Sequence, residues 1–169
     1  ARITNDLHDA LAQQQFELHF QPIVDLSSGQ VRKAEALLRW RHPKRGMISP
    51  ADFIPVAEAS ELIVEIGDWV FSEVSRQLLV WRNTLHPHFQ ISMNSSPVQF
   101  RRRCPAEKSW VKRLEGMGLP GMSLVVEITE GLLLETNASV SEQLLEWRDA
   151  GIQVALDDFG TGYSSLAYL

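Results

Sequence analysis

Acidic side chains and one amide close several predicted strands of this 169-residue chain. Glu35 lies within the second predicted strand, and Asn94, Glu127 and Asp157 lie at the ends of the next three. A carboxylate at an inward-facing strand position is costly to bury unless it is paired or binds a metal. Because this donor set contains only oxygen, it suits Mg²⁺ or Mn²⁺, whereas zinc prefers nitrogen and sulfur. The pattern therefore indicates a site for a hard cation.

Two further acids stand beside this set. Asp158 directly follows Asp157 and is placed to reach a second ion, and Glu130 lies near the same strand end as Glu127. Two ions about 3.5–4 Å apart form a clamp that hydrolyses phosphodiesters. The alternative is structural, since a single acid at a strand end commonly caps a helix or pairs with a cation. Spacing alone leaves both interpretations open.

Period-two alternation of apolar and polar residues predicts the strands that must position these groups. In the second strand, Glu35 and Arg39 are four residues apart and therefore share one face. A turn over 27–29 makes the first two strands a hairpin. The predicted strands cover residues 16–20, 31–40, 89–94, 124–130 and 154–157.

Helical periodicity predicts the segments that connect the strands. Apolar residues spaced by three and four over 66–81 predict a helix of about five turns. Pro50 suits the first turn of a short helix over 50–60. Asn137 and Gly151 suit the N-cap and the left-handed C-cap of another helix. A further helix is predicted over 106–114.

This order of elements implies parallel strands covered by helices, in a doubly wound sheet or a (β/α) barrel. Catalytic groups in such folds gather at the carboxyl ends of the strands. A complete barrel takes about 250 residues, so we expect the first two-thirds of one, with about five strands. Residues 1–15 are predicted to be a helix or linker that enters the domain, and 16–169 to be the partial barrel.

The composition excludes several classes of protein. Hydrophobic residues make up 44% and charged residues 22%, which is globular usage and argues against disorder. The single cysteine, Cys104, excludes an internal disulfide framework and indicates a reducing, cytoplasmic location. No apolar run approaches the roughly 18–20 residues of a membrane span. The net charge of −5 argues against a nucleic-acid polymer as partner.

Six short segments together resemble the EAL family of cyclic di-GMP phosphodiesterases. They occur in the order and register of that family, from about residue 16 to the end of the chain, and include the Glu-Ala-Leu signature itself. The segments are Phe20-Gln21-Pro22-Ile23, Glu35-Ala36-Leu37-Leu38-Arg39-Trp40, Pro50-x-x-Phe53-Ile54-Pro55-x-Ala57-Glu58, Asn94-x-Ser96-Pro97, Glu127-Ile128-Thr129-Glu130 and Asp157-Asp158-Phe159-Gly160-Thr161-Gly162-Tyr163-Ser164-Ser165-Leu166.

The resemblance implies a TIM-type (β/α) barrel whose first strand is antiparallel to the others. It also implies metal-dependent opening of one phosphodiester of cyclic di-GMP to give linear pGpG. Glu35, Asn94, Glu127 and Asp157 match the family's ligands for one Mg²⁺ or Mn²⁺, and Asp158 matches a ligand of the second ion.

The resemblance also implies how the substrate is held. Gln21 and Arg39 match residues that hold the dinucleotide, the arginine by its phosphate. Glu130 matches the glutamate that steadies the loop over 159–165, which contributes to the second metal site and, in many relatives, to a homodimer. The implied catalytic residues are Glu35, Glu130, Asp157 and Asp158.

The chain departs from the family pattern at two places. Glu61 stands where the family normally has glycine, and we expect a minor effect unless the backbone there needs a positive φ. The chain also stops at Leu169, before the strands that carry the family's lysine, second aspartate, last glutamate and glutamine. We therefore expect the enzyme to be the complete domain of a longer protein. The resemblance also implies that residues 1–15 lead in from a GGDEF-type or sensory domain upstream.

The resemblance leaves two functions open. The first is an active phosphodiesterase in bacterial second-messenger signalling, and the second is an inactive EAL domain that acts as a cyclic di-GMP receptor. Every motif residue available in this stretch is present, which favours the enzyme over the receptor and over a purely structural interaction domain.

Overall fold

The computed structural model describes residues 2–102, 105–135 and 137–157. Within them, strands and helices alternate after an opening hairpin. The strands are β1 (Phe16–Val24), β2 (Val31–His42), β3 (Gly46–Ile48), β4 (Gln90–Asn94), β5 (Leu124–Thr129) and β6 (Gln153–Asp157). The helices are α1 (Arg2–Ala10), α2 (Pro50–Ala59), α3 (Leu62–Thr84), α4 (Trp110–Gly116), α5 (Glu130–Leu133) and α6 (Ala138–Ala150), with 3₁₀ turns over Pro97–Arg101, Ala106–Lys108 and Gly121–Ser123.

The strands form one mixed sheet in the order β1-β2-β4-β5-β6, with β3 paired to β2. β1 runs antiparallel to β2, whereas β2, β4, β5 and β6 are parallel to one another. The five predicted strands and the antiparallel first strand are therefore confirmed. Helices connect the successive parallel strands, as in a (β/α) barrel.

The sequence pattern did not predict β3. This strand has three residues and pairs antiparallel with the end of β2, where Trp40 lies opposite Ile48 and His42 opposite Gly46. Gly46 has φ 70°, a conformation that costs glycine little. Three residues are too few to show an alternation pattern, so the strand is visible only through its partner.

Alternation along β2 separates the two faces of the sheet. Ala34, Ala36 and Trp40 are buried on the face that packs against helices. Glu35 and Arg39 lie on the opposite face, since successive strand residues point to opposite sides. We call this second face, which also carries Asn94, Glu127 and Asp157, the polar face.

An aromatic cluster packs β1 and β2 against α2. The buried Trp40 ring lies 5.9 Å from the Phe16 ring and 5.6 Å from the Phe53 ring, measured between centroids. The indole N–H of Trp40 donates to Gln15 Oε1 at 2.9 Å, so the buried polar atom has a partner. The strand that carries Glu35 is thereby held firmly from its other face.

The predicted ends of two helices are confirmed. α2 begins at Pro50. α6 follows Asn137, whose Oδ1 accepts the Ser139 N–H at 3.1 Å, and it ends at Gly151 with φ 88°. These side-chain and left-handed caps satisfy backbone groups that the helix itself leaves unpaired.

The helix predicted over 106–114 is wrong in its bounds. Ala106–Lys108 is a 3₁₀ turn, and α4 begins only at Trp110. Ser109 separates the two because it has an extended backbone and its hydroxyl accepts the Lys112 N–H at 3.2 Å. An N-cap inside the predicted segment therefore divided it.

Helix α1 packs onto the same core as the sheet. Its Leu7 and Ala10 side chains are buried, and Asp6 pairs with Arg45 at 3.1 Å after β2. The division at residue 15 between linker and domain stays a prediction. Among the described residues, no helix is long and apolar enough to cross a membrane.

A minor effect was expected at Glu61 unless the backbone there needs a positive φ, and the structure shows that it has one. Its φ is 61°, in the left-handed region, at the N-cap of α3. A residue with a Cβ loses about 1 kcal/mol or more in that conformation. The Glu61 carboxylate accepts from Arg102 Nη2 at 2.8 Å, but both side chains are largely exposed and such a pair contributes only about 0–1 kcal/mol.

We therefore expect Glu61→Gly to raise the thermal unfolding midpoint of this domain. The gain in the free energy of unfolding should be up to about 1 kcal/mol, because glycine removes the strain and only an exposed ion pair is lost. Calorimetry of the full-length protein measures this. Glu65→Gly, inside α3, is the control and should lower the midpoint, since glycine costs about 1 kcal/mol in a helix. A lower midpoint for Glu61→Gly would contradict the strain argument.

Candidate active site

The carboxyl ends of the parallel strands bring the four predicted ligands together. Asn94 at the end of β4 lies beside Glu127 of β5 in the sheet register. In one orientation of its amide, Asn94 Nδ2 donates to Glu35 Oε1 at 3.4 Å. In the opposite orientation, which matches its neighbours better, Nδ2 donates to Glu127 Oε2 at 3.1 Å and Asp157 Oδ2 at 3.2 Å. One amide thus lies within hydrogen-bonding reach of three carboxylates.

Burial and two neighbouring carboxylates act together on Glu127. Its half-buried carboxylate loses solvation, and the negative charges of Glu35 and Asp157 add to this, so its pKa rises to about 7. A hydrogen bond with Glu35 acts in the same direction. A cation bound among these groups would relieve the repulsion and favour their ionised forms.

The donor chemistry of the set fits a hard cation, because every candidate ligand offers oxygen. Yet within residues 2–102, 105–135 and 137–157, no group of three or more His, Cys, Asp or Glu side chains is arranged to hold a metal ion. The strand register brings the carboxylates together, and the Asn94 amide can donate to some of them. The assignment of Glu35, Asn94, Glu127 and Asp157 as metal ligands therefore stays a prediction.

The two residues predicted to hold the dinucleotide lie on the hairpin that carries Glu35. Gln21 is paired directly with Glu35 across β1 and β2, so their Cβ atoms are about 4.5–5.5 Å apart. Gln21 is exposed, and the half-buried Arg39 lies about 13 Å further along the same face of β2. Arg39 Nη1 donates to the Leu38 carbonyl at 2.9 Å. The acids and these two polar groups therefore share one surface.

Of the remaining predicted site residues, the structure describes Glu130 but not Asp158. Glu130 is the first residue of α5, directly after β5, and only 8% of it is exposed. Asp158 and the loop over 159–165 lie outside the described residues. The second metal site and the role of Glu130 in steadying that loop stay predictions.

A group of polar residues next to Asn94 received no role in the sequence analysis. Ser96 Oγ donates to Glu58 Oε1 of α2 at 2.8 Å, and the Ser96 N–H donates to Gln99 Oε1 at 2.8 Å. The Ser-x-x-Gln spacing of 96–99 is a capping-box signature that could have located this turn. No local signal predicts the contact with Glu58, which is 38 positions earlier in the chain.

The raised pKa of Glu127 predicts how the stability of the metal-free protein depends on pH. Because the pKa is near 7 in the folded state and 4.5 ordinarily, the stability that this group contributes is present below about pH 4.5 and is lost as the pH rises to about 7. Glu127→Gln should flatten this dependence and raise the unfolding midpoint at pH 8. Thermal unfolding in chelator between pH 4 and pH 8 measures it, with Glu115→Gln on the exposed side of α4 as control. Parallel curves for wild type and Glu127→Gln would contradict the repulsion.

Comparison with known proteins places this geometry in a family. The model of the EAL domain family matches residues 4–169. MucR of Pseudomonas aeruginosa, named a bifunctional diguanylate cyclase/cyclic di-GMP phosphodiesterase, is 40% identical over 169 residues, which are 99% of this chain and 24% of that protein. NbdA of the same organism, named a cyclic di-GMP phosphodiesterase, is 37% identical over 169 residues, which are 99% of this chain and 21% of that protein.

A solved structure shows the same fold. The structure described as PaMucR phosphodiesterase in complex with c-di-GMP matches with a TM-score of 0.86 and 38% identity, over 99% of this chain and 68% of that one. The likeness confirms the α/β, TIM-type barrel expected from the sequence, of which this chain holds a part. The chain spans about a fifth to a quarter of the length of the curated relatives it matches. By its fold, its signature segments and its relatives, the chain belongs to the EAL domain family.

Proposed function

We propose that this chain carries the metal-binding and part of the substrate-binding surface of a cyclic di-GMP phosphodiesterase that produces linear pGpG. The observation that carries the proposal is the meeting of Glu35, Glu127 and Asp157 around Asn94 at one end of the sheet. Relatives of the chain are named for this activity, and a solved relative is described as a c-di-GMP complex.

Four residues, Glu35, Asn94, Glu127 and Asp157, would hold one Mg²⁺ or Mn²⁺, and Asp158 would reach a second ion. Support comes from the oxygen-only donor set and from the repulsion that raises the pKa of Glu127. When bound, such ions neutralise phosphate oxygens and lower the pKa of the water that attacks phosphorus.

Gln21 and Arg39 would orient the dinucleotide on the polar face. The planar guanidinium of Arg39 can donate two parallel hydrogen bonds to one phosphate, whereas an ammonium acts as a point charge. Since Gln21 lies opposite Glu35 and Arg39 lies further along β2, a ligand that contacts both residues must extend past the acids. Water then adds across one P–O bond, which leaves a phosphate monoester on one ribose and a hydroxyl on the other.

The second candidate function is a cyclic di-GMP receptor without turnover. It draws on the placement of Gln21 and Arg39 on the polar face, where they could hold the nucleotide without the acids. A receptor needs Gln21 and Arg39 to hold the nucleotide and does not need the metal ligands. Substitution of one of the acids should therefore abolish turnover by an enzyme but leave nucleotide binding by a receptor unchanged.

The wider setting of the domain is part of the same proposal. A diguanylate cyclase-type or sensory domain upstream is supported by the bifunctional name of MucR. A homodimer is implied by the family resemblance and a cytoplasmic location by the single cysteine, and both stay predictions.

The enzyme and the receptor are separated by an assay of the full-length protein with cyclic di-GMP. Incubation with Mg²⁺, with Mn²⁺ or with chelator, followed by chromatography, should give pGpG only when metal is present. Binding measured in Ca²⁺ serves as the parallel readout. Binding without pGpG in any metal would select the receptor, and absence of both would overturn the proposed function.

Glu35→Ala should abolish metal-dependent pGpG formation in the complete domain, because it removes one of the four proposed ligands. The control Glu65→Ala, an exposed acid of α3, should retain wild-type turnover. Full activity of Glu35→Ala would show that the ligand assignment is wrong.

Arg39→Lys should raise KM for cyclic di-GMP about tenfold or more while kcat changes less, because lysine keeps the charge and loses the two-pronged phosphate contact. Initial rates at saturating metal measure the split. Lys33→Arg, near the start of β2, is the reciprocal control and should leave KM unchanged. An unchanged KM for Arg39→Lys would show that Arg39 does not bind the phosphate.

A further inference from the structure

We propose that Glu58, Ser96 and Gln99 are positioning residues that fix the amide of Asn94 among the three carboxylates. We call these three residues the capping network. The inference rests on the proposed function, because it concerns how the proposed metal site is held in its geometry.

The backbone after Asn94 is tied to the strand that carries Glu127. The Ser95 N–H donates to the Glu127 carbonyl at 2.9 Å, so the β4–β5 ladder continues one residue past the end of β4. Ser95 is 5% exposed, and its hydroxyl donates to Gln99 Oε1 at 3.3 Å. The peptide that follows Asn94 is therefore fixed to β5 on one side and to the capping network on the other.

Ser96 begins the 3₁₀ turn over Pro97–Arg101 with a complete capping box. Its hydroxyl oxygen accepts the Val98 N–H at 3.3 Å, and its own N–H donates to Gln99 Oε1 at 2.8 Å. A capping box fixes the direction in which the chain leaves the preceding strand. The capping box therefore holds the chain two residues after Asn94, while the pairing of Asn94 with Glu127 holds the strand itself.

Glu58 connects this turn to a distant helix. The Ser96 hydroxyl uses its single proton for Glu58 Oε1 of α2, at 2.8 Å. Both side chains are half-buried, and a hydrogen bond to a carboxylate is about twice as strong as one between neutral groups. Since Glu58 accepts this proton, Ser96 can present its oxygen to Val98 without rotating away.

Gly67 of α3 makes room for Gln99. A Cβ at Gly67 would lie 2.0 Å from Gln99 Nε2 and 2.6 Å from Gln99 Cδ, so any other residue must displace the amide. Glycine inside a helix costs about 1 kcal/mol relative to alanine, a cost that the packing of Gln99 explains. The capping network is thus held by α2 and α3 together.

The far end of the turn is anchored as well. The Phe100 ring lies 5.3 Å from the Trp147 ring of α6, and the Phe100 carbonyl accepts from Ser139 Oγ at 3.0 Å. Contacts at both ends therefore hold the turn in place. The side chain of Asn94 is exposed, so apart from its hydrogen bonds to the carboxylates its placement rests on this backbone support.

The test uses the full-length protein and measures Mn²⁺ binding from the electron paramagnetic resonance signal of free Mn²⁺, together with kcat and KM for cyclic di-GMP. Loss of groups that orient metal ligands typically weakens metal binding about 10–100-fold. We expect Glu58→Ala and Ser96→Ala each to weaken Mn²⁺ binding about tenfold. Glu58→Gln should restore it, because its carbonyl oxygen still accepts from Ser96. Glu65→Ala is the matched control and should bind Mn²⁺ as wild type does.

A double-mutant cycle with Asn94→Ala separates this role from general stability. If Glu58 acts through Asn94, adding Glu58→Ala to Asn94→Ala should cause no further loss of Mn²⁺ affinity. Two results would overturn the capping network alone. One is that Glu58→Ala weakens Mn²⁺ binding by the same factor in the wild-type and Asn94→Ala backgrounds. The other is that Glu58→Ala weakens Mn²⁺ binding less than twofold although Asn94→Ala weakens it. Wild-type Mn²⁺ binding and turnover in Asn94→Ala would instead overturn the proposed metal site.

Gly67→Ala tests the same network from α3. We expect it to weaken Mn²⁺ binding as much as Gln99→Ala does, and to have no further effect in a Gln99→Ala background. Gly116→Ala is the control, because a Cβ there meets nothing within 4 Å. Wild-type Mn²⁺ binding in folded Gly67→Ala protein would show that Gln99 does not support the site.

Discussion

The constraint that shapes this site is the placement of Glu35, Glu127 and Asp157 around Asn94 at one end of the sheet, where burial and mutual repulsion both disfavour their charged forms. Neighbouring strands lie about 4.8 Å apart, and β4 with Asn94 lies between β2 with Glu35 and β5 with Glu127, so these groups cannot separate without breaking the ladder. The Asn94 amide can satisfy only some of the carboxylate oxygens at one time. The consequence is that the Glu127 carboxyl group holds its proton close to neutral pH.

The opposite face of the same strands counteracts this repulsion. Between the polar positions, β2, β4 and β5 bury Ala36, Met93 and Val126 against the helices. Each strand therefore has an apolar side that stabilises the sheet and a polar side that destabilises it. Because strand residues alternate between the two faces, a one-residue shift of register would exchange the apolar and the polar side. The buried Trp40 directly follows Arg39 of the polar face, so residues of the two faces are neighbours along the chain.

Much of this arrangement could be predicted from the sequence, for identifiable reasons. Strand alternation and helix caps are local, so five of the six described strands and the caps Asn137 and Gly151 were predicted correctly. Ser109 was overlooked although its signal is also local. The meeting of Glu35 with Asn94 followed from the rule that parallel strands end at one edge. The contact between Glu58 and Ser96, and the fit of Gln99 against Gly67, depend on how helices pack, and no period in the sequence encodes them. The positive φ of Glu61 was equally hidden, because glutamate is not a residue that signals it.

The parallel register also determines when the site comes into existence during folding. Helix α3 forms from local contacts, whereas each pairing of β2 with β4, β4 with β5 and β5 with β6 must first close a long connection. Until those strands pair, the acids are distant from one another and do not repel. The electrostatic penalty therefore falls on the late steps of folding. A chain in which β4 is still unpaired exposes apolar strand surface before the acids have come together.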